Sequence, residues 1–147
     1  MKKLAIVLLL VAAGCRRTVV VGTATTLNDP GAPTPREAVD RFMAAASAQD
    51  LQAMSLVWGT TAGPTISTMD KDERDKREII MLCYLKHEKY HIMGEAPGPE
   101  GERVFAMEVT FKGLTRSTTF KSVRGPSNRW YVREFDNNAL RDICAKK

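Results

Sequence analysis

An unbroken apolar run near the amino terminus is the feature that most constrains this chain. Residues 4–13 carry no polar or charged side chain, and Lys2 and Lys3 stand directly before them. The run has the length of a secretory h-region and is too short to span a bilayer as a helix. We therefore expect residues 1–14 to be removed as a signal peptide, so that the folded protein is built from Cys15 onward.

Small residues and a cysteine follow the apolar run. Val11, Ala12, Ala13 and Gly14 lead directly into Cys15. This segment resembles the lipobox of bacterial lipoproteins, although that family prefers leucine where Ala12 stands. The resemblance implies cleavage before Cys15 and attachment of fatty acyl chains, such as palmitate, to its thiol and to the new amino terminus. The alternative is an ordinary signal peptide in which Cys15 is present by chance.

The lipobox resemblance also implies a location. Two or three acyl chains anchor a protein to a membrane firmly, whereas one does so only marginally. Arg16, directly after Cys15, is not the aspartate that resembles an inner-membrane retention signal. We therefore expect a lipid-anchored protein of the cell envelope, with the outer membrane favoured if the host has two membranes.

The charge of the chain indicates an ordinary surface. The net charge of the full sequence is +5, from 22 basic and 17 acidic side chains. Loss of Lys2 and Lys3 with the leader leaves about +3. An exported chain does not meet nucleic acid, so we expect no nucleic-acid partner. The expected partners are the membrane and either an envelope protein or a small apolar ligand.

Cys83 and Cys144 are the other two cysteines. In an oxidising compartment such a pair more often forms a disulfide than a metal site or a nucleophile. Closing this loop would stabilise the fold by roughly 4 kcal/mol in the chain-entropy model. Two buried free thiols are the alternative. The sequence contains no CxxC motif and no Cys/His cluster, so we expect no metal and no cofactor.

The mature chain divides into a tether and one domain. Residues 15–33 comprise the acylated cysteine and a flexible linker that ends in turn-forming residues. The domain, residues 34–147, opens on a capping box, with Thr34 at the N-cap, Pro35 at the first helical position and Glu37 at the third. Asp50 is placed to cap a second, short helix.

A third helix is predicted from a dense run of mixed charge. Residues 70–78 are nearly all charged, and acidic side chains stand four residues before basic ones, as in Asp72 with Lys76. This pattern favours a helix whose first half is exposed to solvent. Apolar residues then predict that the second half enters the core. These residues are Ile79, Ile80, Leu82, Cys83 and Leu85.

From Tyr90 onward the pattern is that of strands separated by turns. Residues 104–112 alternate apolar and polar, and Gly-Pro and glycine turns separate them from neighbouring extended segments. Consecutive strands with short connections predict an antiparallel meander. The predicted class is therefore α+β, with N-terminal helices packed on a curved antiparallel sheet.

Three segments carry a second resemblance. The domain resembles nuclear-transport-factor-2-like domains in three places. They are residues 34–42 (TPREAVDRF), the helix break at residues 49–51 and the closing strand at residues 129–132 (RWYV). The resemblance covers roughly residues 34–136 and implies a cone-shaped sheet with a pocket against the first helices. We expect such a pocket to be lined by the following apolar residues. They are Trp58, Phe105, Met107 and Phe111.

Some members of that fold are isomerases or dehydratases that use an Asp/His or Asp/Tyr pair in the cone. The candidate residues here are His87, Tyr90, His91, Glu108, Tyr131 and Asp136. Each has a simpler structural explanation, such as a helix end, a strand edge or a turn. No Gly-rich phosphate loop, GxSxG elbow or HExxH motif is present. We therefore expect no catalytic residues and no enzymatic activity.

Three functional hypotheses remain. The first is a lipid-anchored binding or interaction module that uses the cone pocket or the sheet face. The second is a structural envelope lipoprotein without a ligand. The third is a pocket enzyme, which a pair such as His91 with Glu108 inside the pocket would support.

Overall fold

A computed structural model describes residues 29–147. The predicted leader, Cys15 and the first part of the predicted linker lie outside the described residues. Within this range no helix is both long enough and apolar enough to cross a membrane. The helices are α1 (Pro35–Ala48), α2 (Leu51–Val57), α3 (Thr65–Thr68), α4 (Lys71–Tyr84) and α5 (Arg141–Ala145). The strands are β1 (Gly59–Thr60), β2 (Gly63–Pro64), β3 (Lys89–Pro97), β4 (Arg103–Phe111), β5 (Leu114–Arg124) and β6 (Trp130–Phe135).

The long strands form one antiparallel sheet in the order β3-β4-β5-β6, and β1 pairs with β2 in a separate small hairpin. Four helices precede the large sheet in the described part of the chain, and α5 follows it. This arrangement confirms the predicted α+β class with helices followed by an antiparallel meander. Two register irregularities interrupt the sheet, one between Ile92 and Gly94 and one between Lys121 and Ser122.

The first two helices begin where the sequence predicts. The Thr34 hydroxyl accepts a hydrogen bond from the backbone N–H of Glu37 at 3.2 Å. The Asp50 carboxylate accepts one from the N–H of Ala53 at 2.9 Å. The second half of the predicted capping box differs, because the Glu37 side chain pairs with Arg41.

The core lies between the helices and one face of the sheet. Phe105, Phe120 and Phe135 are cross-strand neighbours on β4, β5 and β6. The rings of Phe120 and Phe135 stack at 5.3 Å, and Phe42 from α1 meets Phe120 edge-on at 6.3 Å. Because side chains alternate along a strand, Met107 also faces the helices, while Glu108 faces away.

The chain enters the fold before Thr34. Ala32 is fully buried and exchanges two backbone hydrogen bonds with Trp130, each of 2.8 Å. The carbonyl of Gly31 accepts hydrogen bonds from Arg129 and Arg41, at 2.8 and 3.1 Å. Paired backbone therefore begins inside the predicted linker, at the outer edge of β6.

Helix α4 forms as predicted, but its burial differs from the prediction. Ile79 and Ile80 are 59% and 60% exposed, whereas Glu78 is completely buried. The face turned to the protein runs through positions 74, 78, 81 and 85, which share one side at 3.6 residues per turn. The prediction that Ile79 and Ile80 enter the core is wrong because packing against α2 and α5 selected a different face.

The two cysteines of the domain lie together. Cys83 stands on α4 and Cys144 on α5, with their Cα atoms 4.7 Å apart. The side chains are at disulfide distance, as predicted. The pair ties the carboxyl-terminal helix to α4 across a sequence separation of 61 residues.

Candidate functional site

An apolar cleft of about 300 Å³ opens between α1, α4 and β6. We call it the α4–β6 cleft. Trp58, at the end of α2, completes its wall. The apolar lining consists of Phe42, Trp58, Ile80, Met81, Tyr84, Val132 and Phe135. The polar residues at the cleft are Arg77, Arg133, Glu134 and Asn137.

Local backbone geometry positions the aromatic part of the cleft. Trp58 is the C-cap of α2, and its extended backbone pairs in parallel with Val132 of β6. That pairing holds the indole beside the sheet edge. Phe42 reaches the cleft from α1 and lies 6.4 Å from Phe135. The base of the cleft is therefore continuous with the hydrophobic core.

Helix α4 supplies the opposite wall. Arg77, Ile80, Met81 and Tyr84 follow the i, i+3, i+4, i+7 spacing of one side of a helix. Ile80 is the most exposed apolar member of this wall. An isoleucine side chain left largely in water at the mouth of an apolar cleft gains free energy if a ligand covers it.

Charged residues at the cleft are paired within the chain. Arg77 bonds to Glu73 on the preceding turn of α4. Arg133 bonds to Glu102, which is only 5% exposed. The ammonium of Lys121 lies 2.6 Å from Glu134. That hydrogen bond raises the pKa of Lys121 and lowers the pKa of Glu134.

A second depression lies on the other side of α4. This α1–α4 groove has a volume of about 410 Å³, and Ile79, Leu82, Lys86, His87 and Phe111 are among its lining residues. Its lining is more polar than that of the α4–β6 cleft. Ile79 and Ile80 thus stand side by side on α4 but belong to different depressions.

The structure separates the four predicted pocket residues. Trp58 lines the α4–β6 cleft, and Phe111 lines the α1–α4 groove. Phe105 and Met107 are 0% and 1% exposed and pack in the core. Side chains fill the centre of the helix-facing side of the sheet, and the α4–β6 cleft lies beside β6.

The structure does bring His91 and Glu108 together, as cross-strand partners on β3 and β4. They lie on the face of the sheet away from Met107, so they are outside the α4–β6 cleft. His87 lies three residues beyond the end of α4, with Nδ1 2.8 Å from the carbonyl oxygen of Leu85. Its ring meets that of Tyr90 edge-on at 5.5 Å.

Tyr90 makes a contact that the sequence does not reveal. Its hydroxyl donates a 2.8 Å hydrogen bond to Asp40 on α1, 50 residues earlier. Burial and this bond to Asp40 raise the pKa of Tyr90 to about 12. The phenol therefore stays protonated and serves as a donor that joins β3 to α1.

The two remaining candidates have structural roles. A carboxylate oxygen of Asp136 accepts a hydrogen bond from the N–H of Ala139 at 3.3 Å, so this residue closes a turn as predicted. Tyr131 is buried, and burial raises the pKa of its hydroxyl. Neither residue is part of the α4–β6 cleft lining.

Glu78 is the most unusual titratable group of the domain. Both of its carboxylate oxygens are buried without a hydrogen-bond partner among the described residues, and so is Nε of Arg74. Burial raises the pKa of Glu78 to about 7, although the charge of Arg74 opposes the shift. Sequence reasoning missed this residue because it stands inside a charge run typical of a solvated helix face.

Residues 29–147 contain no cluster of three or more His, Cys, Asp or Glu side chains able to hold a metal ion. Comparison with known families and curated proteins finds no matching family model and no matching protein. What the fold and the site define is an α+β domain with an apolar cleft beside β6.

Proposed function

We propose that this chain is a lipid-anchored protein of the cell envelope whose domain binds a small apolar molecule in the α4–β6 cleft. The observation that carries the binding proposal is the cleft itself, with its aromatic base and its exposed Ile80. Its volume is at the small end of ligand pockets, which run from about 300 to 1,000 Å³.

The α4–β6 cleft lies beside the place where the resemblance to nuclear-transport-factor-2-like domains predicts a pocket, because side chains fill the centre of the sheet. Those domains place a pocket between the first helices and the concave face of the sheet. Here α1 contributes Phe42, the C-cap of α2 contributes Trp58, and α4 and β6 supply the two facing walls. The two register irregularities, one with its extra residue on β3 and one with its extra residue on β6, support a curved sheet, because β-bulges increase local bend and twist.

A binding role fits the chemistry of the cleft better than catalysis. General acid–base chemistry needs a titratable group within hydrogen-bond reach of the substrate. The charged groups at the cleft are engaged in ion pairs within the chain. His91 and Glu108 lie on the other face of the sheet, and Tyr90 is held by Asp40.

The anchor proposal rests on the sequence of residues 1–15, with the acylated thiol of Cys15 as the attachment point. The chain from Cys15 to Ala32 reaches at most about 60 Å when fully extended. The domain would therefore stay near the lipid surface, in the outer membrane if the host has two membranes. Export would also favour oxidation of Cys83 and Cys144 to a disulfide.

Ligand binding is tested with phenylnaphthylamine, an uncharged apolar probe whose fluorescence rises when it leaves water. We expect saturable binding to the folded domain. Ile80→Glu should weaken binding by about tenfold, because the probe would have to pack against a carboxylate. Ile79→Glu is the matched control, with the same change on the same helix at nearly equal exposure, and should leave binding unchanged.

Two outcomes would contradict the binding proposal. One is no saturable binding of the probe, which would favour a structural envelope lipoprotein without a ligand. The other is an equal loss of binding in both variants, which would mean that the probe does not occupy the α4–β6 cleft.

The anchor is tested separately, by intact mass and membrane fractionation of the native protein beside a Cys15→Ser variant. We expect the wild type in the membrane fraction, with acyl mass on a chain that begins at Cys15. The variant should lack the acyl mass. A soluble, unacylated wild type would refute the anchor and leave the binding proposal standing.

A further inference from the structure

We propose that the ligand of the α4–β6 cleft is uncharged, with an apolar body and a neutral hydrogen-bonding group at one end. This inference rests on the proposed binding function and adds the chemical class of the ligand. It follows from how the charges around the cleft are arranged.

The charged side chains at the cleft mouth are compensated by neighbours in the same chain. Arg77, Arg133 and Glu134 line the cleft, and their ion-pair partners are Glu73, Glu102 and Lys121. These six side chains comprise three cations and three anions. An approaching charged ligand therefore meets little net field at the mouth.

The pair between Arg133 and Glu102 argues most strongly against an anionic ligand. The Glu102 side chain is nearly buried, whereas that of Arg133 is 44% exposed. An anion that drew Arg133 toward the cleft would leave a buried carboxylate without its cation. A buried charge that loses its partner is strongly destabilising, so this arginine is held by the fold.

A cationic ligand is disfavoured by a similar argument. Glu134 is the only carboxylate in the described lining of the cleft, and its partner Lys121 lies 2.6 Å away. A ligand cation would have to compete with that lysine for the same oxygens. It would also face two arginines at the same mouth.

Neutral polar groups remain for the ligand to use. Tyr84 and Asn137, whose side chains carry a hydroxyl and an amide, are both lining residues of the cleft. A hydroxyl can donate and accept, and an amide carries two donors and an acceptor. Such groups suit a hydroxyl, a carbonyl or an amide on the ligand, while Trp58 and Phe135 contact its apolar body.

The test compares two probes with nearly the same aromatic skeleton. Phenylnaphthylamine is neutral, and anilinonaphthalene sulfonate adds one negative charge. We expect the neutral probe to bind more tightly to the wild-type protein. Competition between the probes, together with Ile80→Glu, shows whether both report on the α4–β6 cleft.

Variants that remove one partner of an ion pair sharpen this test. Glu73→Gln frees Arg77 and should tighten sulfonate binding about two- to fivefold, the range for exposed ion pairs, with little change for the neutral probe. Lys121→Gln frees Glu134 and should weaken sulfonate binding. Glu95→Gln alters total charge at β3, the opposite edge of the sheet, and should affect neither probe.

The outcomes separate this inference from the proposed function. Equal or tighter binding of the sulfonate to the wild-type cleft would overturn the uncharged ligand and leave the binding function intact. Equal responses to Glu73→Gln and Glu95→Gln would also overturn it, since the pairing at the mouth would then not control selectivity. Failure of both probes to bind would overturn both proposals.

Discussion

Replacement of Glu78 by glutamine should stabilise the protein at alkaline pH and leave it unchanged in acid. Glu78 is completely buried on α4, and no hydrogen bond to its carboxylate is formed within residues 29–147. Burial disfavours the charged form most strongly, and the carboxylates of Asp75 and Asp50 add to the effect. Arg74 opposes it only in part.

The magnitude follows from the shift in pKa. The pKa of Glu78 is about 7 in the folded protein, against 4.5 for an ordinary glutamate. A difference of this size corresponds to on the order of 3 kcal/mol of unfolding free energy. Because the folded state holds the proton more tightly, the full stability is present below pH 4.5. It is lost as the pH rises through about 7.

Urea unfolding from about pH 4 to about pH 9 measures this effect. We expect the wild type to lose on the order of 3 kcal/mol relative to Glu78→Gln across that range. Glu73→Gln, an exposed change on the same helix, is the control and should run parallel to the wild type. Parallel curves for Glu78→Gln and the wild type would show that Glu78 is solvated or paired in solution, and would refute the reasoning.

Three further changes test the packing of the domain. Cys83→Ser should lower the unfolding free energy of the oxidised protein by about 4 kcal/mol. Alkylation of both Cys83 and Cys144 in the native oxidised protein would refute the disulfide. Tyr90→Phe should lower the free energy of unfolding in urea by about 1–2 kcal/mol, because the carboxylate of Asp40 on α1 would lose the Tyr90 hydroxyl as a donor. An unchanged free energy of unfolding would show that this hydrogen bond is weak. Gly59→Ala should lower the melting temperature because its Cβ would lie 2.4 Å from a carbonyl oxygen of β2. Gly94→Ala, with nothing within 4 Å, is the control, and equal melting temperatures would contradict the close approach.

Local features of the domain were predictable from the sequence because their causes are local. Thr34 and Asp50 cap α1 and α2 through donors three residues away. The alternation along β4 predicted its buried face, since Phe105 and Met107 stand two residues apart. The proximity of Cys83 and Cys144 was predicted for another reason, because the leader-like amino terminus suggests export, and a cysteine pair has few other uses in an oxidising compartment.

The candidate site was only partly predictable. Trp58 lines the cleft, but Phe105 and Met107 do not. The phenylalanine side chains of β4, β5 and β6 pack together and fill the centre of the helix-facing side of the sheet. The location of an open volume depends on how completely facing side chains interdigitate. How side chains interdigitate depends on the packing of helices against the sheet, and the periodicity of a single segment does not predict it.

The sequence by itself predicted the α+β class, the starts of α1 and α2, the order of the four long strands along the chain and the proximity of the two cysteines. It also carries the lipobox-like leader on which the anchor proposal depends. Only the tertiary structure decided which face of α4 is buried, and hence that Glu78 lies inside while Ile80 lies at the mouth of a cleft. The physical reason is that helical periodicity defines a set of possible faces, whereas contacts with α2 and α5, distant in sequence, select one of them.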